Sequence, residues 1–311
     1  MSPDRPIGRR AALAGIAAGT AGLWLRPGEA LARPAVAPHT PAIPSSGERI
    51  PAVGLGTWIT FNVGDDEELQ AECRAVMAAF FREGGRLIDS SPMYGSSQEV
   101  IGAGLAALGA PRALFSADKV WIGSGDRGPE QIETSRRRWG IPRFDLVQVH
   151  NLLAWEDHLP ALLAMKAAGR VRYVGITTSE GRRHDEMERI MATRPIDFVQ
   201  VTYNAVDREI ERRILPLARD RGVAVIANRP FREGALLRRV GGHPLPPWAA
   251  EIGAASWAQL LLKWIVAEPI VTCAIPATSQ VAHVVENLRS GGGALPDPAM
   301  RRRIAEHVAS L

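Results

Sequence analysis

Four side chains, Asp89, Tyr94, Lys119 and His150, have the types and the order in the chain to do chemistry together. An acid, a phenol, an ammonium and an imidazole gathered at one place can move a proton onto a carbonyl oxygen. Tyr94 is the natural general acid, but a free phenol of pKa ~10 gives up its proton poorly at neutral pH. Lys119 is expected to lower that pKa by stabilising the phenolate, with Asp89 holding the ammonium in place. His150 can donate a hydrogen bond to the substrate oxygen and stabilise the negative charge that develops there. Such a set needs no protein nucleophile; it suits reduction of a carbonyl by hydride, the hydride coming from a cofactor. The chain has only three Lys and three Tyr, so one of each at such a position is informative. Taken singly, each residue has an ordinary reading: a rim ion pair, a turn aromatic before Gly95, a strand-end histidine held by a hydrogen bond. Taken together, in order on successive strands, they outweigh it.

The elements that must position these groups follow from short β-branched runs alternating with amphipathic stretches. Strands are predicted over 53–57, 87–91, 114–120, 146–150, 171–177, 198–203, 223–227 and 272–276. Helices are predicted over 67–83, 98–108, 129–139, 157–168, 183–192, 209–221, 257–267 and 281–288. Eight strands each followed by a helix predict an α/β fold, a (β/α)8 TIM barrel, whose strand ends converge on one opening. An open doubly wound sheet lacks the GxGxxG that would anchor it. A segment over 43–50, with Ser45-Ser46-Gly47 at its centre, is expected to form an N-terminal hairpin plugging the barrel floor. Residues 229–255 are expected to form a long loop over the mouth, and residues 297–308 a C-terminal extra helix.

Composition bounds the rest. Apolar residues make up 46% and charged residues 23% of 311, ordinary for a globular protein. Of the net charge of +4, the first 32 residues supply four Arg against Asp4 and Glu29, leaving about +2 for the remainder. No arginine-rich stripe with interleaved aromatics is present, so nucleic acid is not an expected partner. Cys73 and Cys273 have no metal-ligand spacing and read as buried thiols; no metal is expected. Arg9-Arg10 precede a weakly apolar run over 11–25 and the small residues Ala30-Leu31-Ala32. That order resembles a twin-arginine export signal. The expected division is an export signal over 1–32, a linker and hairpin over 33–49, and the barrel over 50–311. The expected location is periplasmic or otherwise exported, with no stable membrane insertion once the signal is cleaved.

With these motifs in order, the chain resembles the aldo/keto reductase superfamily from Ile50 to Leu288. VGLGTW (53–58), LIDSSPMYG (87–95), ADKV (117–120), DLVQVHN (145–151), GRVRYVGIT (169–177) and IPATSQVAHVVENL (275–288) carry the likeness. The resemblance implies a (β/α)8 barrel that reduces aldehydes and ketones with NADPH, and Asp89, Tyr94, Lys119 and His150 as its catalytic tetrad. It implies that Gln200 hydrogen-bonds the nicotinamide amide, and that Thr177 and Thr178 stand where the family usually has Ser-Asn. Asn228 and Arg229 replace the aromatic that many members stack on the nicotinamide, and Arg229 can offer its guanidinium plane instead. Pro276, Ala277, Thr278, Ser279 and Gln280 match the loop around the adenosine phosphate, while Glu286 and Asn287 can reach the adenine. The basic residue that clamps the 2′-phosphate in many members is Ala277 or Ser279 here, and His283 stands at another position that is often basic. NADPH is therefore favoured over NADH only by the family habit. Trp58, Met93, Trp155 and Trp248 are expected around the substrate, a small-molecule carbonyl compound.

Two other functions compete. A nicotinamide-cofactor-binding sensor or interaction module with little turnover would account for the departures at Asn228, Arg229, Ala277 and Ser279. It would have no use for a complete tetrad. A hydrolytic barrel would need a metal cluster or paired carboxylates at the rim, and neither is evident.

Overall fold

The computed structural model describes residues 37–311, so the segment read as an export signal and the first residues of the linker lie outside the described part. Eight strands form one sheet: β1 (Leu55–Gly56), β2 (Leu87–Asp89), β3 (Phe115–Val120), β4 (Phe144–Val149), β5 (Val171–Thr177), β6 (Phe198–Thr202), β7 (Ala224–Asn228) and β8 (Val271–Ala274). Each pairs in parallel with the next, in sequence order. Parallel bridges Val53–Ala274 and Gly56–Ala277 join the first strand to the last and close the barrel. Glycine is required at that seam, where a Cβ on Gly56 would sit 2.7 Å from the Ile275 carbonyl oxygen, and on the other side of β1, where one on Gly54 would sit 2.8 Å from that of Leu87. Around the strands lie α1 (Glu67–Arg82), α2 (Ser97–Ala107), α3 (Gly128–Trp139), α4 (Trp155–Ala167), α5 (His184–Thr193), α6 (Ile214–Arg221), α7 (Ala235–Val240), α8 (Trp257–Val266), α9 (Val281–Ser290) and α10 (Pro298–Ser310). Among the described residues no helix is long and apolar enough to cross a membrane.

Strand side chains alternate between two cores. Outward residues such as Val120, Val147, Val174 and Val199 pack under the helices. Inward residues form a separate cluster of Leu87, Phe115, Leu146, Tyr173, Phe198, Ile226 and Cys273, closed at the floor by Ile43 and Ile50. Those two isoleucines belong to the expected hairpin, held by an antiparallel bridge Ala42–Arg49 and by Ile43 N–H donating to the Glu48 carbonyl at 2.7 Å. Two residues further along four of the strands, the inward positions change from apolar to polar: Leu87 to Asp89, Ala117 to Lys119, Leu146 to Gln148, Phe198 to Gln200. Period two along the strands thus turns a hydrophobic floor into a chemical rim.

Two expectations change. The helix predicted over 209–221 is split into a 3₁₀ turn, Glu209–Arg212, and α6. Pro216, which lacks an N–H and is best tolerated in a first helical turn, falls in the first turn of α6, so the split lies just ahead of it. The segment over 229–255 is not one loop over the mouth. Only its beginning, Arg229 to Gly234, stays at the opening; the rest forms α7 and a 3₁₀ turn, Pro247–Ile252.

Candidate active site

A pocket of about 530 Å³ opens at the C-terminal ends of the strands. Asp89 ends β2, Tyr94 lies in the turn before α2, Lys119 is the next-to-last residue of β3, and His150 follows β4 directly. The structure brings all four together. Lys119 Nζ donates to Asp89 Oδ2 at 2.6 Å and to the Ser90 carbonyl at 2.8 Å, and lies 5.0 Å from the centre of the Tyr94 ring. The Tyr94 and His150 rings meet edge to face, with centroids 5.8 Å apart. Gln200 Nε2 donates to Asp89 Oδ1 at 2.7 Å, so each oxygen of this buried carboxylate has a partner.

Hydroxyl groups fix the end of β2. Thr57 Oγ1 donates to the Asp89 carbonyl at 2.9 Å, which commits its one proton. Ser97 Oγ must then donate to Thr57, and Ser90 Oγ to Ser97, each at 2.9 Å. This one-way chain anchors the backbone that carries the carboxylate.

Electrostatics correct one expectation. Burial pushes the Tyr94 phenol above its ordinary pKa; Lys119 pulls it down, but Asp89 and Asp118 push it up again, and the net direction is upward. Lys119 therefore moderates a rise and does not produce a fall. Burial draws the Lys119 ammonium down, yet the neighbouring Asp89, with Tyr94 and Asp118, raises it above its usual value. The His150 imidazole is pushed down to about 2, first by burial and then by Lys119, so the ring is neutral at any working pH. Asp118, facing outward beneath α2 with its carboxylate on Gln98 Nε2 at 2.6 Å, is raised by burial to about 7.

The polar rim fits a nicotinamide. Thr177 Oγ1 accepts the Asn151 N–H at 3.0 Å and serves the fold. Among the described residues Thr178 Oγ1, a buried hydroxyl on the pocket wall, has no hydrogen-bond partner. Gln200 also lines the pocket, and with its amide nitrogen engaged by Asp89 it keeps its carbonyl oxygen to accept. A hydroxyl and an amide oxygen side by side match the donor and acceptor of a carboxamide.

Other expected cofactor residues are differently employed. Asn228 spends both ends of its amide on the protein, donating to the Thr178 carbonyl at 3.0 Å and accepting from Thr202 at 2.8 Å. Arg229 lines the pocket, and its guanidinium pairs with Glu180 at 2.8 Å and Glu233 at 2.6 Å, which braces the loop after β7. Ala277 reaches the pocket. Thr278 accepts the Gln280 N–H at 3.1 Å, ahead of α9, and lies 3.5 Å from His283 Nδ1. Pro276 closes the barrel seam by accepting from Gly56 N–H. Ser279 lies in the same turn, and His283, Glu286 and Asn287 lie on α9, outside the pocket wall.

Of the expected substrate residues, Trp58 and Met93 line the pocket, and the Trp58 ring lies 5.0 Å from that of Tyr94. Trp155 does not: it begins α4, and its indole N–H donates outward to Glu186 at 2.8 Å. Trp248 does not either, because its chain has left the mouth; its ring packs 5.7 Å from His307 of α10 and 4.7 Å from the Arg303 guanidinium. Three participants were not foreseen. Trp121, just past β3 and 40% exposed, stands 6.3 Å from His150. Phe231 lines the pocket from the loop after β7. Ser91 bonds His150 at 2.8 Å. Two hydroxyls directly after Asp89 were the one available signal for the last.

Comparison with known proteins agrees with this geometry. The model of the Aldo/keto reductase family matches residues 52–305. Methylglyoxal reductase YeaE of Escherichia coli is 29% identical over 245 residues, covering 76% of this chain and 84% of that protein. The NADH-specific methylglyoxal reductase of Escherichia coli is 28% identical over 222 residues, covering 59% of this chain and 64% of its own. Among solved structures, an aldo-keto reductase from Klebsiella pneumoniae in complex with NADPH superposes with a TM-score of 0.71 at 23% identity, covering 88% of this chain and 95% of that one.

Proposed function

This chain belongs to the aldo/keto reductase family, and from the geometry of its site we propose that it reduces aldehydes or ketones to alcohols with NAD(P)H, Tyr94 being the proton donor. The observation that carries this reading is the assembly of Asp89, Tyr94, Lys119 and His150 at one rim, with Lys119 paired to Asp89 beneath the Tyr94 ring. When bound, the nicotinamide supplies a hydride to the carbonyl carbon. Thr178 and Gln200 would hold its carboxamide. His150 donates a hydrogen bond to the carbonyl oxygen, fixing its direction and taking up developing charge. Tyr94 passes its phenolic proton to that oxygen, which completes the alcohol. The phenolate left behind faces the Lys119 ammonium, which stabilises it until a proton from solvent restores the acid. A raised phenol pKa keeps Tyr94 protonated at neutral pH, and Lys119 offsets part of the weakening of the acid.

Trp58, Met93 and Phe231 line the pocket with apolar and aromatic surface, which suits an apolar or aromatic carbonyl compound. The Escherichia coli relatives named as methylglyoxal reductases make a small dicarbonyl a second substrate class to assay. Export is part of the same proposal: Arg9-Arg10 and the apolar run after them support passage through a twin-arginine route, which carries folded proteins and lets the cofactor be loaded beforehand. Retention would then replace resupply. The commitment of Asn228 and Arg229 to protein partners favours a second reading, a cofactor-binding module with little turnover.

Following NADPH and NADH absorbance across aliphatic, aromatic and dicarbonyl aldehydes separates the two. The reductase predicts turnover that collapses by at least about 10²-fold in Tyr94→Phe, with nucleotide binding retained. Binding without turnover across the whole panel would favour the module. Binding of neither nucleotide would sink both.

A further inference from the structure

We propose that Ser91 is a positioning residue for His150, its hydroxyl donating to Nδ1 and so holding the ring as the Nε2–H tautomer with that N–H left for the substrate. The inference rests on the reductase reading for the reaction it serves, but the hydrogen-bond logic stands on the resting protein.

Ser91 Oγ lies 2.8 Å from His150 Nδ1, and the serine is fully buried. Distance by itself leaves the direction of this bond open, since either ring nitrogen of a neutral imidazole can carry the proton. The surroundings decide it. Ser91 Oγ also accepts the Met93 N–H at 3.2 Å, which uses one of its lone pairs. A hydroxyl has a single proton to give, and among the described residues His150 Nδ1 is the one acceptor within reach of it. If Nδ1 carried the proton, two donors would face one buried oxygen and the serine proton would have no acceptor, an arrangement that folded proteins avoid. The proton therefore runs from serine to Nδ1, and the ring's own proton sits on Nε2.

Residue type matters here. A carboxylate at position 91 could only accept, and would draw the ring proton to Nδ1; an alanine would offer nothing. Serine is a neutral group that can donate, so it sets the tautomer without adding charge beside Lys119. The same residue also ties the histidine to the acid, because the Ser91 carbonyl accepts the Tyr94 N–H at 2.9 Å. One residue thus orients both groups that meet the substrate oxygen.

The test uses the full chain labelled with ¹⁵N-histidine and free of nucleotide, the His150 signals being identified by their loss in His150→Gln. The expected spectrum has a protonated Nε2 and an unprotonated Nδ1. In Ser91→Ala the fixed state should give way to exchange-broadened or mixed-tautomer signals. Turnover should fall on the order of tenfold with nucleotide KM unchanged. The assignment is overturned if Nδ1 carries the proton in the unmodified protein. It is equally overturned if Ser91→Ala leaves either the ring signature or kcat as they were. A protein that shows the expected spectrum but never turns over would remove the reductase reading and leave the tautomer assignment standing.

Discussion

Lys119 and Asp89 form the charge pair beside which Tyr94 and His150 stand, and both are almost wholly excluded from solvent. Removing one partner strands the other charge, which is far costlier than removing both. Lys119→Met is expected to lower stability by about 3–5 kcal/mol and to abolish turnover. Adding Asp89→Asn should recover most of the stability and none of the turnover; urea midpoints and NADPH oxidation read the two effects separately. Two other buried groups give stability opposite dependences on pH. His150, driven down to about 2, is neutral when folded, while the unfolded chain takes up a proton below its ordinary value of 6.5. Its contribution is present above pH 6.5 and is lost as pH falls, by about 2 kcal/mol at pH 5. Asp118, raised to about 7 from 3.8, works the other way: the folded state holds the extra proton, so stability is lost as pH rises from about 4 to 7. The two slopes nearly cancel between pH 5 and 6.5. His150→Gln should therefore gain stability on acidification through that window, and Asp118→Asn should lose it; denaturant midpoints at pH 5 and 6.5 give the signs. A matching slope in the two variants would contradict the burial of these groups.

The hairpin and the helices place the chemistry without taking part in it. Ile43 and Ile50 fill the barrel floor below Leu87 and Phe115, and Asp89 and Lys119 stand above the same inner cluster. Ile43→Ala is expected to cost about 2–5 kcal/mol through the cavity it leaves, read as a lowered urea midpoint with kcat unchanged. A large loss of kcat would mean that the floor is coupled to the rim. Periodicity made these elements legible in the sequence: inward residues recur every second position along β3, and a Ser-Ser-Gly turn between apolar residues marks the hairpin. The split ahead of α6 was legible too, since Pro216 stands in plain sight. The course of the chain after β7 was not. Local patterning finds α7 no more readily than a loop, and the docking of Trp248 against α10 depends on a helix some fifty residues later.

For the whole molecule, the segment ahead of the barrel and the barrel itself make separable predictions. Residues 1–35 fused to a folded reporter should direct it out of the bacterial cytoplasm, and Arg9-Arg10→Lys-Lys should hold it inside; fractionation distinguishes the outcomes, and export unaffected by the substitution would exclude the twin-arginine route. Order along the chain, residue type and period determined the eight-strand barrel and the identity of its four rim groups, because parallel strands bring their C-terminal ends together wherever the connections run. Tertiary structure decided the state in which those groups are held. It set the direction of the Tyr94 shift, since solvent exclusion over the closed rim outweighs the one ammonium that sequence could point to. It chose Thr178 over Thr177 as the hydroxyl left for a ligand, engaged Arg229 with two carboxylates, turned Trp155 outward and set Ser91 on His150. Each of these depends on which atom of a side chain meets which neighbour from another strand or loop. That is a matter of angles and distances between segments far apart in sequence, and it exists only once the barrel has closed.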